Sequence, residues 1–289
     1  MMRSLLFVPA DGGAKLDKAM ASGADAVILD LEDSITPERK AQARAAALEF
    51  LKAAQTKKPR PRLWVRINGL DTGMTDTDLE AVVAGRPDAI VFPKAEGGAS
   101  VVHLDAKLTA REAIAGLPEG GIKILAQAVE SAAGLFLAGT FRDASARLIG
   151  MTWGPEDLSA ELGAEANRDA AGQLTEPYRL ARNMCLFGAA AAKLPAIETV
   201  YVDFRNSEGL RRDTQDARRD GFSGRLAIHP AQVAVINEVF TPSPEQIAQA
   251  KTVVAAFAAR SGAGAVGIDG KMYDRPHLLR AQALLARIG

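Results

Sequence analysis

The residues of this chain best placed to do chemistry are two carboxylates, Glu130 and Asp157, in the stretch AQAVESAAGLFLAGTFRDASARLIGMTWGPEDLSAELG, positions 126 to 163. Each follows a short apolar run, KILAQAV or RLIGMTW, and a small-residue segment of helical character separates the two. A parallel strand-helix-strand unit has a right-handed crossover that returns the second strand beside the first, so both acids are expected at one sheet edge. Two carboxylates held close and only partly solvated repel, and each takes up a proton unless a cation sits between them. Mg2+ suits that place: it accepts one or two protein carboxylates and leaves its other octahedral positions to water and substrate oxygens, with Mn2+ as a substitute. Spacing alone leaves a plainer reading open. Glu130 before Ser-Ala-Ala-Gly, and Glu156 with Asp157 after Gly154-Pro155, could simply occupy first helical turns, where the helix dipole favours negative charge.

What would position these groups is a regular alternation along the chain. Candidate strands fall at 4 to 9, 26 to 32, 62 to 68, 89 to 94, 123 to 129, 147 to 154, 199 to 204 (TVYVDF) and 224 to 229. Helical candidates lie near 13 to 22, 37 to 55, 75 to 84, 99 to 115, 131 to 138, 177 to 193, 207 to 220 and 231 to 239. Eight strands buried on both faces, each followed by a helix, predict an α/β fold of the (β/α)8 TIM barrel type. A doubly wound open sheet is the alternative, but no Gly-x-Gly-x-x-Gly turn follows the first strand.

In such a barrel, polar residues at strand C-termini gather at one mouth. Here they are Asp30, Glu32 and Asp33 after strand two, Arg66 and Asn68 after three, and Lys94 and Glu96 after four. Glu130, Asp157, Asp203 and His229 follow on strands five to eight. Ionisable groups at seven consecutive strand ends point to an enzyme. Arg66, within VRIN, can hardly reach water; its structural role would be an ion pair with Glu32 or Asp33, its functional one to grip a carboxylate or enolate with a planar fork. Lys94 could neutralise the acidic mouth or form a Schiff base. So many carboxylates keep its amine protonated and favour the electrostatic role.

Composition excludes other classes. The 289 residues are 48% hydrophobic, enough for an ample core. With 35 basic residues balancing 35 acidic ones and no long like-charge run, no nucleic-acid or membrane-surface partner is expected. The opening apolar run is too short for a signal peptide and no run approaches membrane-spanning length. A single cysteine, Cys185, forbids an internal disulfide and fits a cytoplasmic setting; its apolar helical surroundings make it a packing residue.

Past residue 240 the pattern changes. The first 240 residues complete eight β/α units, so 241 to 289 form an extension: a helix capped by Ser243 and Pro244, a glycine-punctuated segment, and a closing amphipathic helix from Pro276. Its plain role is to cover the barrel exterior or mediate oligomer contacts. Its sharper role is a lid that brings Asp274, with Asp269 as second candidate, over a mouth.

The segments FVPADGGAKLDKA, ADAVILDLEDSITPERKAQAR, VRIN, VFPKAE, AVESAAG, WGPEDLSAELG, GFSGRLAIHPAQ and GAVGIDGKMYDRP resemble, in order and over nearly the whole chain, the citrate lyase beta subunit-like branch of the HpcH/HpaI aldolase superfamily. That branch includes malyl-CoA, citramalyl-CoA and citryl lyases. The resemblance implies a barrel, usually a homotrimer, that binds Mg2+ through Glu130 and Asp157. It also implies that Arg66 contacts the substrate or its enolate. Asp274, in a motif where Tyr273 replaces the usual Ile, would transfer a proton within an adjacent subunit's site. The resemblance further implies that Glu130 and Lys94 border the substrate, with Glu32 and Asp33 behind them. The substrate would be an acyl-CoA or keto acid, with coenzyme A as part of the thioester.

Two departures concern the coenzyme A end. The glycine and arginine that family members carry after the first strand are Ala10 and Ala14 here, with Gly12-Gly13 between. Lys15 lies one residue on, and Lys18 matches a common family lysine, so phosphate contact is expected there. The expected activity is Mg2+-dependent carbon-carbon cleavage of a 3-hydroxy-dicarboxyl-CoA thioester to a 2-keto acid and an acyl-CoA. The alternatives are a malyl-CoA-type thioesterase, an aldolase acting on free 2-keto acids, and a non-catalytic subunit or scaffold.

Overall fold

The computed structural model describes residues 2 to 260 and 262 to 288. They divide into two compact units, Met2–Glu238 and the residues from Val239 onward.

The first unit is built on eight parallel strands: β1 (Ser4–Pro9), β2 (Ala26–Asp30), β3 (Arg62–Arg66), β4 (Ala89–Phe92), β5 (Lys123–Val129), β6 (Leu148–Trp153), β7 (Ile197–Glu198) and β8 (Gly224–Ala227). They run β6-β5-β4-β3-β2-β1-β8-β7 around the sheet. The remaining gap nearly closes where Met151 of β6 bridges Ala196 and donates its N–H to the Pro195 carbonyl at 3.0 Å. This is the TIM barrel expected from the alternation. Leu5, Ile28, Trp64, Val91, Leu125, Ile197 and Leu226, one from each of seven strands, fill the interior. β2 and β4 are buried along their whole length, as strands covered on both faces must be.

The helices between the strands are α1 (Ala14–Met20), α2 (Lys40–Ala54), α3 (Thr75–Val82), α4 (Gly97–Ile114), α5 (Ala132–Leu137), α6 (Pro155–Leu162), α7 (Glu176–Ala191), α8 (Ser207–Asp220) and α9 (Pro230–Phe240). α6 extends the expected list. Pro155 at its first position and the left-handed Gly163 just past its end bound a helix that the sequence reading took only as the seat of Glu156 and Asp157. α7 lies close because Gly188 leaves no Cβ to collide with the Ala138 carbonyl.

The seventh strand differs from the expectation. TVYVDF is not a strand; the sheet pairing is made by Ile197 and Glu198 against Gly224 and Arg225, and the chain leaves the sheet at Thr199. Glu198 explains the break. Its carboxylate is buried, takes hydrogen bonds from Trp153 Nε1 and Arg182 Nε at 2.6 Å each, and also accepts the Thr199 N–H that a longer ladder would use. Asp203 therefore lies in an exposed loop rather than at a strand end.

The second unit holds α10 (Pro244–Ala259), β9 (Ala265–Ile268), β10 (Lys271–Asp274) and α11 (Arg275–Ala286). Ser243 caps α10 in a reciprocal box with Gln246. The glycine-punctuated segment is an antiparallel hairpin, with Lys271 opposite Ile268 and a two-residue Asp269-Gly270 turn, both at positive φ. Ala250, Val253 and Ala281 are its buried centre, with Phe257, Ile268, Tyr273 and Leu284 packed around them.

A buried charge cluster ties α4 to β6. Arg147 reaches Asp105, both oxygens of Glu112, Thr109 and the Ile122 carbonyl. Arg147→Met strands the Glu112 carboxylate, itself fully buried, and is expected to lower stability by about 3–5 kcal/mol. Calorimetric melting of the variant against the parent checks this; an unchanged midpoint would contradict it.

Candidate active site

The site is set by register. Asp30 ends β2, Arg66 ends β3, and the two lie directly opposite. Arg66 donates from Nε to Asp30 Oδ1 and from Nη2 to Asp30 Oδ2, both at 2.7 Å, a bidentate fork, while Nη1 stands 2.8 Å from Glu32 Oε2. Its plane sits over the Phe7 ring, 4.7 Å from the centroid. Asp33, one of the two partners the sequence offered for Arg66, is 3.8 Å away with a side chain 60% exposed. Both expected partners thus lie within ion-pair reach, Glu32 closely and Asp33 at the margin, and they are joined by Asp30, the principal partner, which strand pairing sets directly across from Arg66.

Lys94 continues the network. Its Nζ is 2.7 Å from Glu32 Oε1 and 3.4 Å from Asp157 Oδ1. The Lys94 backbone is left-handed, φ +49, an uncommon conformation for a residue with a Cβ, and its N–H donates to Glu130 Oε2 at 2.7 Å. Gln127 Nε2 donates to Glu130 Oε1 at 2.6 Å. Gly154, the residue between β6 and α6, has no side chain for a spatial reason: a Cβ there would come within 2.5 Å of Glu130 Oε1. Behind this layer Lys40 is buried and donates to the carbonyls of Leu31 and Glu32 and to Asn68 Oδ1 at 2.7 to 2.9 Å. Asn68 in turn bonds Asp78, which Arg44 holds.

The electrostatics are those of a crowded acid cluster. Burial, then repulsion from Glu32 and Asp157, push the Glu130 carboxyl up to about 8, against the Lys94 N–H that favours its charge. Burial likewise raises Glu32 despite Arg66. For Asp30 burial alone would do the same, but the Arg66 charge and fork hold its carboxyl below the ordinary range. Burial would lower the Lys94 amine, yet Glu32 and Asp157 outweigh that and keep it protonated.

Asp30, Glu32, Asp33, Glu130 and Asp157 face the cations Arg66, Lys94 and Lys40, an excess of two negative charges once every carboxyl is ionised. Among the described residues no three His, Cys, Asp or Glu side chains form a ready-made metal cage. The donor set is thus two carboxylates, Glu130 and Asp157, with charge to spare and open space beside them. That fits a hard divalent cation that keeps water or substrate oxygens in its remaining positions.

The open space is a cavity of about 1030 Å³ lined by Arg66, Glu130, Asp157, Gln127, Phe7 and Trp153 among others, and also by Lys15 and Lys18 of α1. The structure therefore brings Arg66, Glu130, Asp157, Glu32 and Lys94 into one network, with Lys18 on the wall of the same cavity. Asp274 belongs to the second unit, where it caps α11 in a reciprocal box with His277. The hydrogen-bonded His277 ring holds its carboxyl below the usual range. Asp269 is taken up by the hairpin turn. Sequence reading missed Gln127, Phe7 and Lys40 as parts of the site. Strand alternation offered a signal for Gln127, one inward step from Leu125, whereas nothing in the sequence marked Lys40, a lysine in an ordinary amphipathic helix.

The chain belongs to the HpcH/HpaI aldolase/citrate lyase family, which it matches over residues 3–230. It is 34% identical over 287 residues to a citrate lyase subunit beta of Leuconostoc mesenteroides subsp. cremoris, covering 99% of this chain and 92% of that one. It is 36% identical over 288 residues to a (3S)-malyl-CoA thioesterase of Cereibacter sphaeroides, covering 99% and 94%. The crystal structure of the CitE protein from Mycobacterium tuberculosis in complex with magnesium, acetoacetate and coenzyme A superposes with a TM-score of 0.77 at 35% identity, covering 99% of this chain and 97% of that one.

A divalent cation at Glu130 must displace the proton that this carboxyl holds below about pH 8. Affinity for Mg2+ is therefore expected to rise about tenfold per pH unit between pH 6 and 8 and to level off above. Calorimetric titration at four pH values measures this; an affinity flat across the range would contradict it.

Proposed function

From membership of the HpcH/HpaI aldolase/citrate lyase family, we propose that this protein is a Mg2+-dependent carbon-carbon lyase. It cleaves a 3-hydroxyacyl-CoA whose hydroxyl carbon carries a carboxylate, giving a 2-keto acid and an acyl-CoA, and can run the reverse condensation. The observation that carries the reading is the convergence of Glu130, Asp157 and the Asp30-clamped Arg66 on one cavity large enough for an acyl thioester. Glu130 and Asp157 would hold the Mg2+, with Mn2+ as a substitute. When bound, the ion supplies Lewis-acid polarisation of the hydroxy-acid end and a template for its oxygens.

The rest is work for the chain's own side chains. As the carbon-carbon bond breaks, the hydroxyl proton passes to a solvent water and the bonding pair passes into the thioester as an enolate. The enolate carbon then takes up a proton relayed from solvent, so the proton count closes. Arg66 meets the charge growing on the thioester oxygen. Its Nε and one Nη2 N–H are bonded to Asp30, and Nη1 stands in ion-pair contact with Glu32. The remaining N–H groups on Nη1 and Nη2 are left for substrate, and the clamp fixes their direction before substrate arrives. Lys94 bridges Glu32 and Asp157 and orients both carboxylates. Lys18, with Lys15, offers cations to the phosphates of coenzyme A. Asp274 is the proton-transfer group, delivered from an adjacent subunit of a homotrimer, a role in which it exchanges its hydrogen bond to His277 for the substrate carbon.

A second reading has a specific observation behind it, the 36% identity to a malyl-CoA thioesterase. There water captures the thioester carbonyl, and free coenzyme A leaves with the hydroxy acid. Product identity separates the two. Purified protein incubated with malyl-CoA or citramalyl-CoA and Mg2+ is expected to yield keto acid and acyl-CoA by mass; free coenzyme A with an intact hydroxy acid would replace the lyase by the thioesterase.

Two substitutions probe the roles. Glu130→Gln is expected to cut Mg2+-dependent turnover more than about 100-fold and to weaken Mg2+ binding with it. Asp274→Asn is expected to keep metal and ligand binding while losing about 10²–10⁴-fold in turnover. Turnover at the parental level in Asp274→Asn would remove that residue from the chemistry.

A further inference from the structure

We propose that Glu198 is a positioning residue for the cavity wall: by latching the seam of the barrel between β6 and β7 it sets the width of the cavity, and with it the affinity for the thioester, without touching substrate or metal. The inference deepens the lyase reading and rests on it for the identity of the ligand.

The seam is where the barrel has least backbone to hold it. β6 and β7 are the two ends of the strand order, and among the described residues a single bridge, Met151 with Ala196, joins them. β7 in turn pairs with β8 through Ile197 and Glu198 alone. Yet the cavity wall runs across this seam, with Trp153 on the β6 side and Thr199 and Val200 on the β7 side.

Side chains stand in for the missing ladder. Glu198 Oε1 accepts the Trp153 indole N–H at 2.6 Å and the Thr199 N–H at 2.9 Å, so one atom ties both sides of the wall. Oε2 accepts from Arg182 Nε at 2.6 Å. Arg182 is anchored by Asp220 at 2.9 Å and lies over the Phe222 ring, 4.6 Å from its centroid. Glu198, Trp153 and Arg182 are all buried. A buried ion pair is a poor source of stability, because desolvation offsets much of its attraction. What a carboxylate does supply here is short, charge-assisted bonds to three donors in fixed directions. A glutamine could accept from Trp153 and Thr199, but it would turn an amide N–H toward Arg182.

The acid pair lies outside this control. Trp153 pairs with Val129, and Gly154 donates to the Val129 carbonyl at 3.0 Å, so β6 keeps its place beside β5 and Asp157 its place beside Glu130. A loosened latch therefore lets Thr199 and Val200 draw away from Trp153 and leaves the metal end as it was. A purely structural role would not separate the two affinities in that way.

The test separates the latch from the ion pair. Arg182→Met with Glu198→Gln removes both charges but keeps an acceptor for Trp153 and Thr199; Arg182→Met with Glu198→Met removes the acceptor as well. Each full-length double variant is titrated calorimetrically with Mg2+ alone, then with acetyl-CoA at saturating Mg2+. Mg2+ affinity is expected to stay within about twofold of the unmutated protein in both. Acetyl-CoA affinity is expected to fall about tenfold or more in the variant without the acceptor and to stay within about threefold in the other. Unchanged acetyl-CoA affinity without the acceptor, equal losses in both variants, or a matching loss of Mg2+ affinity would overturn the proposal. A second measurement needs no variant: with its two tryptophans isotopically labelled, the unmutated protein is expected to exchange the Trp153 indole proton as slowly as that of Trp64 in the barrel interior. Exchange at the rate of a free indole would overturn the proposal even if neither variant folds. Absence of acetyl-CoA binding by the unmutated protein at saturating Mg2+ would overturn the lyase reading and this proposal together.

Discussion

The constraint on which this site depends is a carboxylate that its surroundings do not want charged. Glu130 is 4% exposed, faces Glu32 and Asp157, and has two hydrogen-bond donors, Gln127 and the Lys94 backbone, which together fall short of what ionisation in that place requires. A group so placed either holds a proton or shares its charge with a cation. Everything nearby keeps that choice in place. Gly154 leaves the room, Lys94 adopts an uncommon backbone conformation to aim its N–H, and Lys94 Nζ holds Asp157 on the same side.

Arg66 meets the opposite condition. Its charge is over-compensated by Asp30 and Glu32, so it cannot swing toward a ligand. What it offers instead is direction, since a guanidinium fixed by a bidentate fork to Asp30, in ion-pair contact with Glu32 and stacked over Phe7 presents its remaining donors without reorganisation. The cost of burying so many charges is spread over a second layer. Lys40 ties the carbonyls at the end of β2 to Asn68, and Asn68 to Asp78 and Arg44, so the strand ends that carry Asp30, Glu32 and Arg66 are braced from behind.

The second unit presents its own economy. Asp274 is at once the N-cap of α11 and the acid of the glycine-flanked motif, and His277 sits where a capping box ordinarily has Glu or Gln. The nearby Asp269-Gly270 turn needs positive φ at both residues, and this accounts for an Asp and a Gly in those places without any chemistry.

Period and punctuation in the sequence determined the barrel, the order of its elements and the strand ends at which Glu130, Asp157, Arg66, Glu32 and Lys94 emerge. Burial on both faces demands continuous apolar runs, and crossovers demand a helix between them. The sequence also carried the Asp-Gly signal of the hairpin and the Gly-Pro start of α6, which were legible though not taken as elements. It could not show that β7 stops at Glu198, because a buried carboxylate claiming the next N–H is a contact from Trp153 and α7, both distant in the chain. Nor could it choose Asp30 over Asp33 as the clamp on Arg66. That choice is made by the register of two strands 36 positions apart and by which side of the strand end meets solvent. Local pattern fixes where a side chain leaves the backbone. Only the packed barrel decides which charges are left without water, and with which neighbours they must share.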